Sequence, residues 1–82
     1  MHDVVAVKYL RGYTVEVIFD NGEHGEINLK GYASKGGVFE PLSDIAYFRK
    51  VSVNKDLGTI AWPNGADIAP ETLYRLVKEK VH

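Results

Sequence analysis

The sequence predicts an α+β domain in which two helices cover one face of an antiparallel sheet of about five short strands, in the order βββ-α-ββ-α. Apolar and polar residues alternate through three segments of the first 30 residues, as is typical of strands with one face exposed to water. Two shorter strand candidates follow, an alternating one at residues 51–53 and one of β-favouring residues at 59–62. The last part of the chain carries an apolar stripe with helical spacing after Pro70.

The first three strands are expected at residues 4–9, 13–19 and 23–29, joined as an antiparallel meander. In the first strand, strict alternation places Val5, Val7 and Tyr9 on one face and the residues between them on the other. The dipeptide Asn21-Gly22 between the second and third strands is a strong signal for a tight hairpin turn. In the third strand, Ile27 and Leu29 are predicted to face the core.

The second half predicts two helices and two short strands. Residues 30–41 are expected to form a loop with a helical turn near Tyr32. Ser43 has the residue type of a helix N-cap, so a short helix is predicted at residues 44–49. Strands at residues 51–53 and 59–62 follow, and Pro70 suits the first position of a helix that runs to about Lys80. The apolar stripe of this helix consists of Leu73, Leu76, Val77, and Lys80 or Val81.

Length and composition indicate one small domain covering residues 1–82. The chain has no cysteine, which rules out a disulfide framework and fits a reducing cytoplasm. Its N-terminus lacks the features of a signal peptide, and no apolar run is long enough to cross a membrane. Ten basic and eleven acidic residues give a net charge of −1, so nothing in the overall charge favours nucleic acid as a partner.

The segment Trp-Pro-Asn-Gly-Ala-Asp-Ile-Ala-Pro-Glu-Thr-Leu-Tyr at residues 62–74 closely resembles the C-terminal signature of a bacterial family, domain of unknown function 2442. Residues 19–23, 39–44 with Phe48, and 58–60 are also similar to that family, so the resemblance covers nearly the whole chain. It implies a fold and a bacterial origin but no established activity. Some relatives carry an attached helix-turn-helix, and others resemble partners in two-gene toxin–antitoxin-type modules.

The sequence offers little for metal or cofactor chemistry, and we predict neither. His2, His24 and His82 show no HExxH motif and no other short ligand spacing with carboxylates. The glycines at 31, 36 and 37 have P-loop spacing, but glycine and valine stand where that motif needs lysine and a hydroxyl residue.

The five candidate binding residues all lie in the signature segment: Trp62, Asn64, Asp67, Glu71 and Tyr74. Three of them have two interpretations each. Trp62 is either part of the core or a surface on which a ligand stacks, and the core is favoured in so small a domain. Asp67 and Glu71 are either helix-start charges or a pair for acid–base work, and the former is favoured.

Three functions are compatible with these features. The leading hypothesis is a non-enzymatic interaction module that pairs with itself or with a protein partner through a sheet edge or the exposed sheet face. The alternative is an accessory domain with a small-molecule pocket near Trp62, Asn64, Asp67 and Tyr74. An enzyme that uses Asp67 or Glu71 is the weakest hypothesis, because no convergent catalytic motif is present.

Overall fold

The computed structural model describes residues 2–79, which form five strands, three α-helices and one 3-10 helix. The strands are β1 (Val4–Arg11), β2 (Thr14–Phe19), β3 (His24–Asn28), β4 (Ser52–Asn54) and β5 (Thr59–Ala61). The helices are α1 (Lys30–Ala33), α2 (Ile45–Phe48) and α3 (Pro70–Glu79), and the 3-10 helix spans Gly37–Ser43. The predicted α+β class and the five strands are confirmed. The predicted positions of Lys80 and Val81 on the last helix lie outside the described residues.

The five strands divide between two antiparallel sheets instead of forming one. The first sheet has the order β1-β2-β3, and β4 and β5 form a separate two-stranded sheet that lies beside β1. The loop between β4 and β5 is joined to β1 by a hydrogen bond from the Val4 amide to the Gly58 carbonyl (2.8 Å). Strands of only three residues present few ladder hydrogen bonds, so sequence alternation alone could not show which strands they pair with.

The core lies on one face of the three-stranded sheet. Val15, Val17 and Phe19 from β2 and Ile27 from β3 are buried there, as the alternation predicted. Helix α2 contributes Phe48 to this core, and α3 contributes Leu73 and Val77. Two helices therefore cover one face of the sheet, as expected. The core is completed by further buried apolar residues: Val4, Leu29, Ala33, Leu42, Ile60, Trp62, Ala66 and Ile68.

Strand β1 corrects the predicted faces at its start. The pairing register shifts between Val4 and Ala6, which marks an irregularity of the β-bulge type. Val4 is opposite Phe19 and buried, whereas Val5 is 55% exposed. The assignment of Val5 to the face of Val7 was therefore wrong, because one extra residue in a strand reverses the alternation.

The start of α2 corrects a second prediction. Asp44, not Ser43, is the N-cap, and its side chain accepts a hydrogen bond from the Ala46 amide (3.0 Å). Ser43 ends the preceding 3-10 helix, where its hydroxyl donates to the Glu40 carbonyl (3.0 Å). Both residue types cap helices well, and the presence of the 3-10 helix decides between them.

Candidate functional site

Trp62, directly after β5, belongs to the core. Its exposed fraction is 3%, and its ring centroid lies 5.8 Å from that of Phe48. The indole Nε1 donates a hydrogen bond to the Phe48 carbonyl (3.0 Å). A buried indole whose only donor is already bound has no face or polar group available for a ligand, so the core interpretation is confirmed.

Asn64 holds the turn that follows Trp62. Its side-chain oxygen accepts from the Ala66 amide (3.1 Å), and its side-chain nitrogen donates to the Val38 carbonyl in the 3-10 helix (2.9 Å). Its backbone amide donates to the hydroxyl of Tyr47 (2.8 Å). These bonds tie the turn to the 3-10 helix and to α2, which is a structural role.

Asp67 and Glu71 are both exposed. Asp67 forms an isolated bridge with Ala61, and Glu71 lies in the first turn of α3. Within residues 2–79, neither carboxylate has a side-chain hydrogen bond or ion pair. Their arrangement therefore matches helix-start electrostatics and provides no built acid–base pair.

Tyr74 lies in a different group of side chains, at the turn between β2 and β3. Its ring packs edge-on against Phe19 (centroids 5.0 Å apart) and stacks on His2 (4.1 Å). Its hydroxyl donates to Glu23 Oε2 (3.3 Å) and accepts from the side-chain nitrogen of Asn21 (3.4 Å). The hydrogen bonds and ring contacts thus separate Tyr74, at the hairpin, from Trp62 and Asn64, which lie beside α2.

An ion pair beside Tyr74 also joins α3 to the hairpin between β2 and β3. Lys78 Nζ lies 2.5 Å from Glu23 Oε2. The hydrogen bond and charge of Lys78 lower the pKa of Glu23, and the same contact raises the pKa of Lys78. Both groups are thereby held in their charged forms, which suits a structural ion pair between α3 and the hairpin better than a proton-transfer site.

The surface feature that sequence reasoning did not locate is the open edge of β3. The Phe19 amide bonds to the Glu23 carbonyl, and the Leu29 amide bonds to the Tyr13 carbonyl. Because hydrogen-bonded pairs alternate along an antiparallel ladder, the main-chain groups of the even-numbered residues His24, Glu26 and Asn28 point away from β2. In the part of the chain that the structure describes, no group bonds to these outward amides and carbonyls.

The opposite edge of the sheet, β1, is less regular and has other segments beside it. Its register shifts twice, between Val4 and Ala6 and between Tyr9 and Arg11. Its first residue bonds to the loop before β5, and the two-stranded sheet lies beside it. Bulges and covering segments are common means by which proteins protect an edge. The pairing of β2 with β3, by contrast, runs through five residue pairs without a shift.

A surface depression of about 350 Å³ lies beside the open edge. Ile27 and Leu76 supply apolar lining, and Asn28 and Glu79 supply polar groups. Leu76 belongs to the apolar stripe predicted for α3 but is only half-buried, unlike Leu73 and Val77. The sequence signal for this depression was therefore the apolar stripe of α3, which is wider than the part of the helix surface that the core buries.

Two carboxylates flank the edge and the depression. Glu26 Oε1 accepts from Arg11 (3.0 Å) and Glu79 Oε2 from Arg75 (3.0 Å). The exposed fractions of the two glutamate side chains are 47% and 55%. Among residues 2–79, the second oxygen of each carboxylate has no bonded partner, so each can accept another hydrogen bond.

Other kinds of site are not evident in the described residues. No three histidine, aspartate or glutamate side chains among residues 2–79 are grouped so that they could hold a metal ion. In the same range, no helix combines the length and the apolar character needed to cross a bilayer.

Comparison with known proteins gives a family but no activity. The family described as protein of unknown function (DUF2442) matches residues 4–79, and the chain belongs to that family. No curated protein and no solved structure matches the chain.

Proposed function

We propose that this chain is a non-enzymatic protein-interaction module whose contact surface is the open edge of β3. The observation that carries the proposal is the row of outward main-chain groups at His24, Glu26 and Asn28, which have no partner within the described residues. Such a row is a template for another strand, because an extended backbone can match its alternating donors and acceptors.

The contrast between the two sheet edges supports this proposal. The pairing of β1 with β2 shifts twice and the two-stranded sheet lies beside β1, whereas β3 pairs with β2 through five residue pairs without a shift. The depression lined by Ile27 and Leu76 adjoins β3 and gives an added strand an apolar surface to cover. Main-chain hydrogen bonds would supply affinity, and the depression would supply specificity.

The same depression makes a small-molecule site the second candidate. Its volume lies at the lower end of the roughly 300–1,000 Å³ range of ligand pockets. Apolar lining with two polar side chains is the usual chemistry of such pockets. This candidate differs from the sequence-based one in position, since the site lies beside Leu76 and not beside Trp62. A metabolite that raises the melting temperature of the wild type but not of Leu76→Ser would support it.

The interaction module can be tested by purifying the tagged protein from its own host and identifying bound proteins by native mass spectrometry. Glu26→Pro is the decisive variant, because proline removes an outward amide and is tolerated where that amide faces solvent. Lys55→Pro is the matched control. It places proline at an exposed turn position after Asn54, where a proline is favoured.

We expect one partner to co-purify in fixed proportion with the wild type and with Lys55→Pro, and to be lost from Glu26→Pro. Circular dichroism and thermal melting establish that both variants are folded. A partner that Glu26→Pro retains would show that binding uses another surface. The product of the neighbouring gene is the first partner to test directly, given the resemblance to two-gene modules.

A further inference from the structure

We infer that the occupant of the β3 edge is an extended segment of another protein in which aliphatic and basic side chains alternate. This inference rests on the proposed function, because it requires β3 to be the contact surface. It goes further by stating what the partner segment must carry and by excluding a second copy of this chain.

The position of α3 argues against a second copy. Val77 of α3 packs directly on Gly25 of β3, so the helix lies over the edge strand itself. Antiparallel pairing of two β3 strands about a two-fold axis would place both α3 helices on the same face, over strands only about 4.8 Å apart. Packed helices keep interaxial distances of about 8–10 Å. A single extended segment needs only the width of one strand.

The two faces of the sheet specify the side chains of that segment. Successive residues of a strand point to opposite faces. On the core face, an added side chain would lie in the depression beside Ile27 and Leu76, which favours an aliphatic residue. On the other face, an added side chain would lie next to Glu26, the central residue of the edge.

Charge complementarity favours a basic residue at the second kind of position. Arg11 belongs to β1, which is separated from β3 by β2, so its side chain approaches Glu26 from the β2 side. It donates a hydrogen bond to Oε1 only. Glu79, at the rim of the depression, likewise uses only Oε2, toward Arg75. The remaining oxygens can accept hydrogen bonds from lysine or arginine. An acidic residue opposite Glu26 would be repelled, since like charges on adjacent strands are unfavourable.

The basic side chains nearby indicate the register. His24 lies at one end of the strand, where it faces Glu16 (3.4 Å), and Lys30 follows the other end. Lys78 is occupied by Glu23. The centre of the edge, at Glu26, is therefore the position at which a basic side chain of the partner is best accommodated.

The probe is a fluorescein-labelled peptide of six residues with blocked termini, in which valine and lysine alternate. A second peptide has glutamate in place of each lysine. Two further peptides repeat the first with methyl groups on alternate amide nitrogens, in two phases. One is methylated at the odd positions and the other at the even positions, so that each blocks one edge of the peptide. Fluorescence anisotropy gives the dissociation constants, and amide chemical shifts in a ¹H–¹⁵N spectrum show which residues of the protein respond.

We expect the valine–lysine peptide to bind with shifts centred on His24, Glu26 and Asn28. Replacing lysine by glutamate should weaken binding by about tenfold or more. Methylation in one of the two phases should abolish binding, which tests main-chain pairing without any change to the protein. Glu26→Gln should reduce the difference between the two charged peptides, and Glu71→Gln, on the exposed first turn of α3, should leave it unchanged.

Three results would overturn the inference. Equal binding of both charged peptides would remove the role of Glu26, and binding that tolerates methylation in both phases would remove strand addition. A wild-type homodimer that becomes monomeric in Glu26→Pro would identify a second copy as the occupant. If the peptides fail to bind while Glu26→Pro still loses a partner from the host, the inference is wrong and the proposed function stands. If Glu26→Pro also retains every partner, both are wrong.

Discussion

Val77 of α3 lies directly over Gly25 of β3, with no room between them for another carbon atom. A β-carbon on Gly25 would lie 2.8 Å from Cγ1 of Val77 and 3.6 Å from its Cβ. Gly25 therefore has a packing role, because it lets a helix approach the strand more closely than any other residue would allow. This contact fixes α3 over the open edge and defines the depression beside Leu76.

Gly25→Ala should destabilise the domain by about 1–3 kcal/mol, because the added methyl group overpacks a tight contact. Urea denaturation measures the loss. The double variant Gly25→Ala with Val77→Ala should be less destabilised than the sum of the two single variants, since the shorter side chain at 77 makes room for the new carbon. Strict additivity of the two effects would show that the contact is not as close as the structure places it.

Gly58, in the turn before β5, is required for a different reason. Its φ is +66°, and a β-carbon there would lie 2.7 Å from Cγ of Asp3. Gly58→Ala should cost about 1–3 kcal/mol, because strain in the left-handed region is added to the contact. Removing the Asp3 side chain as well should recover only the contact part of that loss. Thermal and urea unfolding of the two variants separate these contributions.

Gly31 provides the control for Gly58. It lies within α1, and a β-carbon there would meet no atom within 4 Å. Alanine is a better helix former than glycine and restricts the unfolded chain. Gly31→Ala should therefore be neutral or stabilise the domain by up to about 1 kcal/mol. Equal losses from Gly31→Ala and Gly58→Ala would contradict the conformational argument.

The strands whose neighbours are close in sequence were predictable. Alternation and the Asn21-Gly22 turn located β2 and β3, and the burial of Val15, Val17 and Ile27 follows from that pattern. The error at Val5 has a physical cause. A register shift adds one residue to a strand, and nothing in a run of valines marks the position of the extra one.

The candidate site could be predicted only in part. The core position of Trp62 followed from domain size, but the separation of Trp62 from Tyr74 depends on where α3 crosses the sheet. The sequence predicted that open edges would exist. It could not show that β4 and β5 lie beside β1 and not beside β3, because that depends on how the second half of the chain packs on the sheet.

Trp62→Ala should destabilise the domain by about 3–5 kcal/mol, which is a large part of the stability of a small domain. The substitution leaves a cavity and removes the donor to the Phe48 carbonyl. Trp62→Phe keeps part of the ring volume and should therefore destabilise the domain less, by about 1–3 kcal/mol. The remaining loss arises because the Phe48 carbonyl no longer accepts a hydrogen bond from the indole N–H. A denaturation midpoint of Trp62→Ala near that of the wild type would contradict the core assignment.

The ion pair between Glu23 and Lys78 predicts a defined pH dependence of stability. Lys78 lowers the pKa of Glu23 from its ordinary value of 4.5, so the stabilisation is present above pH 4.5 and is lost as the pH falls through the lower value in the folded protein. The same contact raises the pKa of Lys78 from 10.5, so its contribution is present below pH 10.5 and is lost above the raised value.

The wild type should therefore have a higher urea midpoint than Glu23→Gln at pH 6–8, and the difference should shrink as the pH is lowered below 4.5. Glu40→Gln removes an exposed carboxylate for which the described residues show no side-chain partner, so it is the control and its urea midpoint at pH 6–8 should be close to that of the wild type. A constant difference between the wild type and Glu23→Gln from pH 3 to pH 8 would mean that the ion pair contributes nothing and that Glu23 acts only through packing.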